Sequence, residues 1–375
     1  MAKIALVHDY LNEFGGAERV LLKLSQMYPD APIYTLFVKE NSAAAKEFRS
    51  KKIIQSWFSH VPFADKLISP LRFLIPFIWP FFDFSDYDLV ITSSAWAVTK
   101  GMRGAKREIS YIHTPPRYLY GYEESKDWSG LSWLVKVYGL LVNHFMRMYD
   151  FNRAQKPDVL IANSQNISRR IKKFYNKTSD VIYPPIEYKK FSSSKISPHK
   201  GDFFLTGGRL VRHKNFDKII QAFNQSGRKL LIFGTGSVEN SLKNIAEENI
   251  EFMGRVSEEK LVSLYKGAKA FIVASRDEDL GMTQIEAKAA GCPVIAYKAE
   301  GYLETIIEGK TGVFMKSLQP KAINKAVEKI ESTKWDKRKI KAFAKGFSKE
   351  VFEKKVKKIV DKNLVEYTHA GASRS

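Results

Sequence analysis

Four loops carry residue types that handle phosphates and sugars. The most cationic reads GGRLVRHKNFDKII (207–220). Its two glycines let the backbone approach a ligand, and Arg209 and Lys214 precede a helix expected to begin near Asn215. A guanidinium grips phosphate oxygens as a fork and an ammonium adds a point charge, so this pair suits a diphosphate. A solvated basic loop has the same composition. The acidic loop SRDEDLGMTQIEAKAAGCPVIA (275–296) places Glu278 in a turn before Gly281, and Glu286 about one turn into a helix opening near Met282. Two carboxylates so placed can each take a pair of sugar hydroxyls, or can merely complement a helix dipole and face water.

Two further loops lie earlier. NEFGGAERV (12–20) follows an apolar run, so Gly15 and Gly16 form either a phosphate cradle or a plain strand-to-helix turn. His113 ends the run EISYIHT and precedes the stiff Pro115-Pro116 turn, a place suited to proton transfer in a cleft, although a lone histidine is more often structural. Asp277-Glu278-Asp279 and Asp86-Tyr87-Asp88 imitate metal motifs, but hard cations need several oxygens in fixed geometry, and no metal is expected at either. The P-loop pattern G-x-x-x-x-G-K-[ST] does not occur.

The elements that must position these loops are short apolar runs alternating with amphipathic segments. The first half holds runs at 3–10, 32–38, 88–94, 108–114 and 158–164, and the second at 203–210, 229–236, 250–256, 270–275, 293–297 and 312–315. Near-continuous apolar runs are the mark of parallel strands buried on both faces, and alternation with helices predicts doubly wound α/β domains. Between the halves, VIYPPIEYKKFSSSKISPHKGD (181–202) can continue neither helix nor central strand. The expected division is residues 1–185, then 186–345, then a basic amphipathic helix over 346–367 packing back toward the first domain, and an unstructured tail at 368–375. In such sheets ligands bind at the carboxyl ends of the strands.

The 375 residues suffice for about two domains at ~150 residues each. With 44% apolar and 27% charged residues the chain is globular, not disordered or coiled-coil. One cysteine, Cys292, excludes a disulfide framework and a multi-cysteine zinc site. MAKIALVHDY reads as a strand, not a secretory signal, and no apolar run is long enough to span a bilayer. The formal charge of +21, shared by both halves, attracts polyanions: nucleic acid, anionic membrane or phosphorylated substrates.

Taken in order, GGAER, GRLVRHKNFDKIIQAF, LLIFGTG, FMGRVSEEKLVSLYKGAKAFIVAS and EDLGMTQIEAKAAGCPVIA resemble retaining glycosyltransferases of family 4. The resemblance spans nearly all of residues 3–367. It implies a GT-B fold, in which two Rossmann-like domains face a central cleft. YIHTPPRYLYGY (111–122) is similar to the bacterial branch that builds O-antigen lipopolysaccharide and capsular polysaccharides, often from GDP-mannose. The resemblance implies that Gly15 and Gly16 approach the donor diphosphate and that Arg209 and Lys214 neutralise it. Glu278 would hold donor-sugar hydroxyls, with the backbone of Gly281, Met282 and Thr283 near sugar and phosphate. Glu286 would bind the ribose, Gly254, Arg255 and Val256 would pass the nucleobase, and His113 would contact the sugar near its anomeric carbon. Asp279-Leu280 departs from the phenylalanine commonest before the glycine, and Arg212-His213 are larger than usual; both bear on donor fit. No cofactor and no metal are implied.

Two other classes compete: a nucleotide-sugar epimerase or glycan phosphorylase sharing the fold, and a non-catalytic polyanion-binding protein. The second lacks every nucleic-acid reading module, so nucleic acid is not an expected partner. The expected partners are a nucleotide sugar, a lipid-linked or oligosaccharide acceptor and an anionic membrane surface. The last rests on KLISPLRFLIPFIWPFF (66–82), where Phe77, Trp79 and Phe81 beside cations suit a lipid interface, and on a second apolar-and-basic stretch at 134–153. Core packing is the competing reading of the first run. The expectation is a cytoplasmic enzyme held peripherally at the inner face of the membrane.

Overall fold

A computed structural model describes residues 2–122 and 132–372, with side chains to residue 365. The chain divides into two compact units, Met1–Pro185 with Glu350–Ser375, and Ile186–Lys349.

The first unit is built on seven strands: β1 (Ile4–His8), β2 (Ile33–Thr35), β3 (Ile53–Gln55), β4 (Leu89–Ser94), β5 (Glu108–Ile112), β6 (Val159–Ala162) and β7 (Asp180–Val181). All pair in parallel, in the order β3-β2-β1-β4-β5-β6-β7. β4 and β5 are buried at every position, as central strands covered on both faces must be. The edge strands β3 and β7 are three and two residues long and too short to stand out in the sequence. The second unit has β8 (Phe204–Gly207), β9 (Leu230–Phe233), β10 (Ile250–Gly254), β11 (Phe271–Val273), β12 (Val294–Tyr297) and β13 (Gly312–Met315), one from each of the six apolar runs. They too are parallel, in the order β10-β9-β8-β11-β12-β13.

The last helix, Lys349–Ala372, belongs to the first unit. Phe352, Val356 and Val360 recur at helical spacing and are buried in the core formed by Leu6, Leu24, Ile91 and Tyr111. The helix runs to Ala372, so five residues of the expected unstructured tail are helical, and 373–375 lie outside the described residues.

The run 66–82 folds as short helical pieces, Ala64–Leu67, Arg72–Leu74, Ile75–Ile78 and Trp79–Phe81, because Pro70, Pro76 and Pro80 forbid one continuous helix. Its side chains divide between core and surface. Ile75, Ile78 and Trp79 are buried, whereas Phe77 and Phe81 are 68% and 65% exposed. Trp79 therefore corrects the expected patch: its indole N–H donates to the Ala97 carbonyl at 2.9 Å, and the ring fills the core. Beside this run lies the helix Trp133–Ala154, tied to it by Arg72 Nε donating to Asn143 Oδ1 at 2.9 Å and by the Tyr138 hydroxyl on the Pro70 carbonyl. It leaves Trp133, Leu134, Leu140, Leu141 and Phe145 more than half exposed.

The second unit buries a lysine amine. Lys288 is fully buried; its Nζ donates to the Thr305 carbonyl and lies 5.1 Å from the Phe343 ring centre. Burial holds its pKa well below the ordinary 10.5. The unfolded chain then binds more protons than the folded one from that lowered pKa up to 10.5, so this group makes stability rise with pH across that window. Lys288→Met, similar in length and apolar, is expected to be favoured over the parent by more at pH 7 than at pH 10 in urea unfolding. An advantage independent of pH would mean that Lys288 keeps its charge in the fold.

Candidate functional site

In an open parallel sheet the crevice forms where strand order reverses, at the carboxyl ends of the two strands flanking that point. In the second unit those strands are β8 and β11. The loop after β8 carries Gly208, Arg209 and Lys214; the loop after β11 carries Asp277, Glu278 and Gly281. Asn215 fastens the two together. It adopts the left-handed conformation that asparagine tolerates (φ 54°), opens the helix Phe216–Ser226, and donates from Nδ2 to the Ala274 carbonyl at 2.9 Å.

Lys214 and Glu278 thereby meet, with Nζ 3.8 Å from Oε2 and each about one-quarter exposed. Tyr302 braces the same carboxylate oxygen, its hydroxyl 3.4 Å from Glu278 Oε2, and the Gly301 amide donates to the Glu278 carbonyl at 3.0 Å. Gly281 has φ +81° where the chain turns into the helix Met282–Ala289; a Cβ there would lie 2.9 Å from the Tyr302 ring. Gly208 is backed by Thr283, and a side chain at Gly234, after β9, would strike the Gly208 carbonyl at 1.9 Å. The glycines thus let the strand-end loops pack without side chains between them.

Arg209 is exposed on its loop, Met282 is half-buried, and Glu286 is buried in the helix at 3% exposure, so it is not the solvated helix residue its spacing allows. Gly254 ends β10, accepts the Gly234 amide at 2.7 Å, and is followed by exposed Arg255 and half-buried Val256. Two strand spacings, about 10 Å, separate β10 from β8.

The first unit reverses strand order between β1 and β4. Asp9, just past β1, binds the loop after β4 through the amides of Ala95 and Trp96 at 2.9 and 2.5 Å and the Thr99 hydroxyl. Gly15 is extended and gives its amide to Glu18 Oε2 at 2.8 Å, so it offers a ligand close backbone approach and not a donor; Gly16 begins the helix Gly16–Met27. His113 follows β5 and is 7% exposed. Burial pushes its pKa down to about 3, the nearby His8 adding to the fall and Glu18 opposing it, so the ring is neutral at pH 7. It can give or take a hydrogen bond there but carries no charge. Its Nε2 lies 2.8 Å from Ser93 Oγ. His8, Glu18, Ser93, Asn215 and Tyr302 were not singled out by the sequence; sheet register brings His8 beside Ser93, and side-chain contacts reveal the other three.

Residues 187–347 match the family model described as Glycosyl transferases group 1. Over 217 residues the chain is 25% identical to an uncharacterized glycosyltransferase of Methanocaldococcus jannaschii, covering 56% of this chain and 60% of that one. Over 164 residues it is 30% identical to the capsular polysaccharide biosynthesis glycosyltransferase CapM of Staphylococcus aureus, covering 39% and 43%. The chain thus spans less than two thirds of the length of these curated relatives. The crystal structure of Anabaena HepE in complex with UDP-glucose superposes with a TM-score of 0.68 at 17% identity, over 96% of this chain and all of that one. Residues 187–347 are therefore similar to the glycosyl transferases group 1 family, in a chain that has the GT-B fold.

Proposed function

We propose that the protein is a retaining glycosyltransferase that moves a sugar from a nucleoside-diphosphate donor to a lipid-linked or oligosaccharide acceptor in bacterial surface-glycan synthesis. The observation that carries this is the pairing of the cationic 208–214 loop with the Glu278 loop where the strand order of the second sheet reverses. A donor lying across β10, β9, β8 and β11 would extend over three strand spacings, about 14 Å, which suits base, diphosphate and sugar in sequence. Gly254, Arg255 and Val256 would then lie by the base and Glu286 by the ribose. Arg209 and Lys214 would face the diphosphate. Glu278 would hold the sugar hydroxyls, near the backbone of Gly281, Met282 and Thr283.

Breaking the anomeric C–O bond leaves negative charge on the departing diphosphate and positive charge on an oxocarbenium-like sugar. Fixed cations at the first stabilise the transition state more than the ground state. Neutral His113 would hydrogen-bond near the anomeric carbon, with Gly15 and Gly16 close to the diphosphate. The acceptor's proton passes to the leaving phosphate as the new bond forms on the same face.

CapM supports a place in capsule synthesis, and the resemblance of 111–122 makes GDP-mannose the first donor to test. GDP is expected to raise the thermal midpoint more than UDP, ADP or CDP at equal concentration; a ligand at 100 times its Kd stabilises by ~2.7 kcal/mol. A clear preference for UDP overturns the mannose reading and leaves the transferase class standing. Glu278→Ala is expected to lower turnover more than Asp279→Ala, with EDTA without effect. Loss of activity in EDTA, restored by a divalent cation, would make the acidic loop a metal site.

Among the described residues no helix is long and apolar enough to cross a membrane. The exposed apolar side chains of 73–81 and 133–151, with exposed Lys66, Lys136 and Arg147 nearby, support peripheral attachment at the inner face of the membrane. Each cation near an anionic surface adds ~1 kcal/mol, and apolar insertion adds to it. Sedimentation with anionic vesicles at low salt is expected to carry the protein down. Replacing Phe77, Phe81, Leu140, Leu141 and Phe145 by serine is expected to leave it in the supernatant with its fold intact. Equal sedimentation of that variant refutes the patch.

A further inference from the structure

Parallel register sets His8 of β1 directly beside Ser93 of β4, and Ser93 beside Tyr111 of β5. Side chains alternate along a strand, so His113, two residues past Tyr111, returns to the face that His8 and Ser93 share. The result is a continuous polar chain. The Gly15 amide donates to Glu18 Oε2 at 2.8 Å, Glu18 Oε1 lies 3.5 Å from His8 Nε2, His8 Nδ1 lies 3.0 Å from Ser93 Oγ, and Ser93 Oγ lies 2.8 Å from His113 Nε2. His8 and Ser93 are 1% and 0% exposed.

Proton counting gives the chain a direction. An ionised Glu18 only accepts, so His8 Nε2 carries a hydrogen. With one proton on its ring, His8 Nδ1 is then an acceptor. Ser93 has a single hydrogen, which must go to His8 Nδ1, leaving Oγ to accept from His113 Nε2–H. His113 Nδ1 is left with its lone pair free to accept. A second proton on His8 would reverse the two hydrogen bonds at Ser93 and place the hydrogen of His113 on Nδ1.

We propose that Glu18, His8 and Ser93 are positioning residues that hold His113 as its Nε2–H tautomer in one ring orientation, and that Glu18 ties this setting to the conformation of the Gly15–Gly16 loop. The tautomer follows from this geometry with Glu18 ionised and one proton on the His8 ring, whereas its consequence for catalysis rests on the reading of His113 as a group near the anomeric carbon. In that reading His113 presents an acceptor at Nδ1, suited to a sugar hydroxyl. The Gly15 loop cannot shift without moving the carboxylate that anchors the far end of the chain.

The test uses full-length protein with 15N-labelled histidine at pH 8. Long-range 1H–15N spectra give the tautomer of each of the seven histidines, with His113 and His8 assigned by His113→Gln and His8→Gln. The expected result is His113 in the Nε2–H form in the parent and a mixture of tautomers in Ser93→Ala. A parent His113 in the Nδ1–H form overturns the proposal without need of any variant. In the transfer assay Ser93→Ala is expected to lower kcat between about 10- and 100-fold with little change in donor KM, the scale for a misplaced reacting group, and Ser93→Thr is expected to restore most of it. A tautomer change in Ser93→Ala with kcat unaltered upholds the relay as a setting of His113 and overturns its catalytic role. Absence of transfer by the parent with any donor, while the spectra show the expected tautomer, overturns the transferase reading and leaves the relay standing.

Discussion

Arg209→Ala is expected to lower kcat for sugar transfer by about 10²-fold or more, ~2.7–4 kcal/mol, the scale for removing one preorganised electrostatic partner. Arg209 is exposed on the loop after β8, so the substitution should shift the unfolding midpoint little. Its effect should therefore appear in turnover and not in folding. In the proposed transfer the diphosphate would carry charge before reaction and gain more as the anomeric bond breaks, so kcat should fall further than donor affinity. Arg209→Lys keeps the charge but loses the two-pronged grip, and should recover only part of the loss. Activity of Arg209→Ala within a factor of about two of the parent would remove the diphosphate from this loop.

The second sheet could be read from the sequence almost strand by strand because each of its strands lies in a short apolar run and most of those runs are bounded by glycine or proline. The loops that matter there follow the strands directly, so placing a strand also placed Arg209, Lys214 and Glu278. What the sequence could not supply was the order of strands. Runs 203–210 and 270–275 are far apart along the chain, and only the crossover that seats β11 beside β8 brings Lys214 within 3.8 Å of Glu278. Asn215 looks like any residue before a helix until its amide is seen on the Ala274 carbonyl.

The first unit was less legible for a related reason. Parallel register across three strands brings His8, Ser93 and His113 together, the helix after β1 adds Glu18, and no spacing rule connects the four in a linear sequence. Trp79 shows the opposite difficulty. In a broken run of short turns the period that separates inward from outward positions is lost, so Phe77, Trp79 and Phe81 read as one patch although the indole alone turns into the core. The helix Trp133–Ala154 packs Val142, Met146 and Tyr149 inward, yet many of its other apolar residues face outward, a fact that burial shows and periodicity does not.

That outward-facing helix is moored by a buried ion pair, and breaking the pair is expected to give the largest loss of stability in the first unit. Lys100 and Asp150 are both fully buried, with Nζ 2.5 Å from Oδ1. The second carboxylate oxygen accepts the Tyr120 hydroxyl at 2.7 Å, and the ammonium lies 5.0 Å from the Tyr175 ring centre. Removing one partner strands the other charge away from water, which costs ~3–5 kcal/mol, against a total stability for a domain of ~5–15 kcal/mol. Lys100→Met and Asp150→Leu should each lower the urea midpoint by that measure. The double variant leaves no buried charge and should be more stable than either single one, because the desolvation penalty vanishes together with the attraction. A double variant whose loss equals the sum of the single losses would show that the two charges are uncoupled. Asp150 lies on the exposed helix and Lys100 just beyond the loop that Asp9 holds, so the pair joins the apolar surface to the β4 strand end. In vesicle sedimentation the single variants should then lose binding at urea concentrations where the parent still binds, while the double variant keeps it, because its apolar face remains intact and docked.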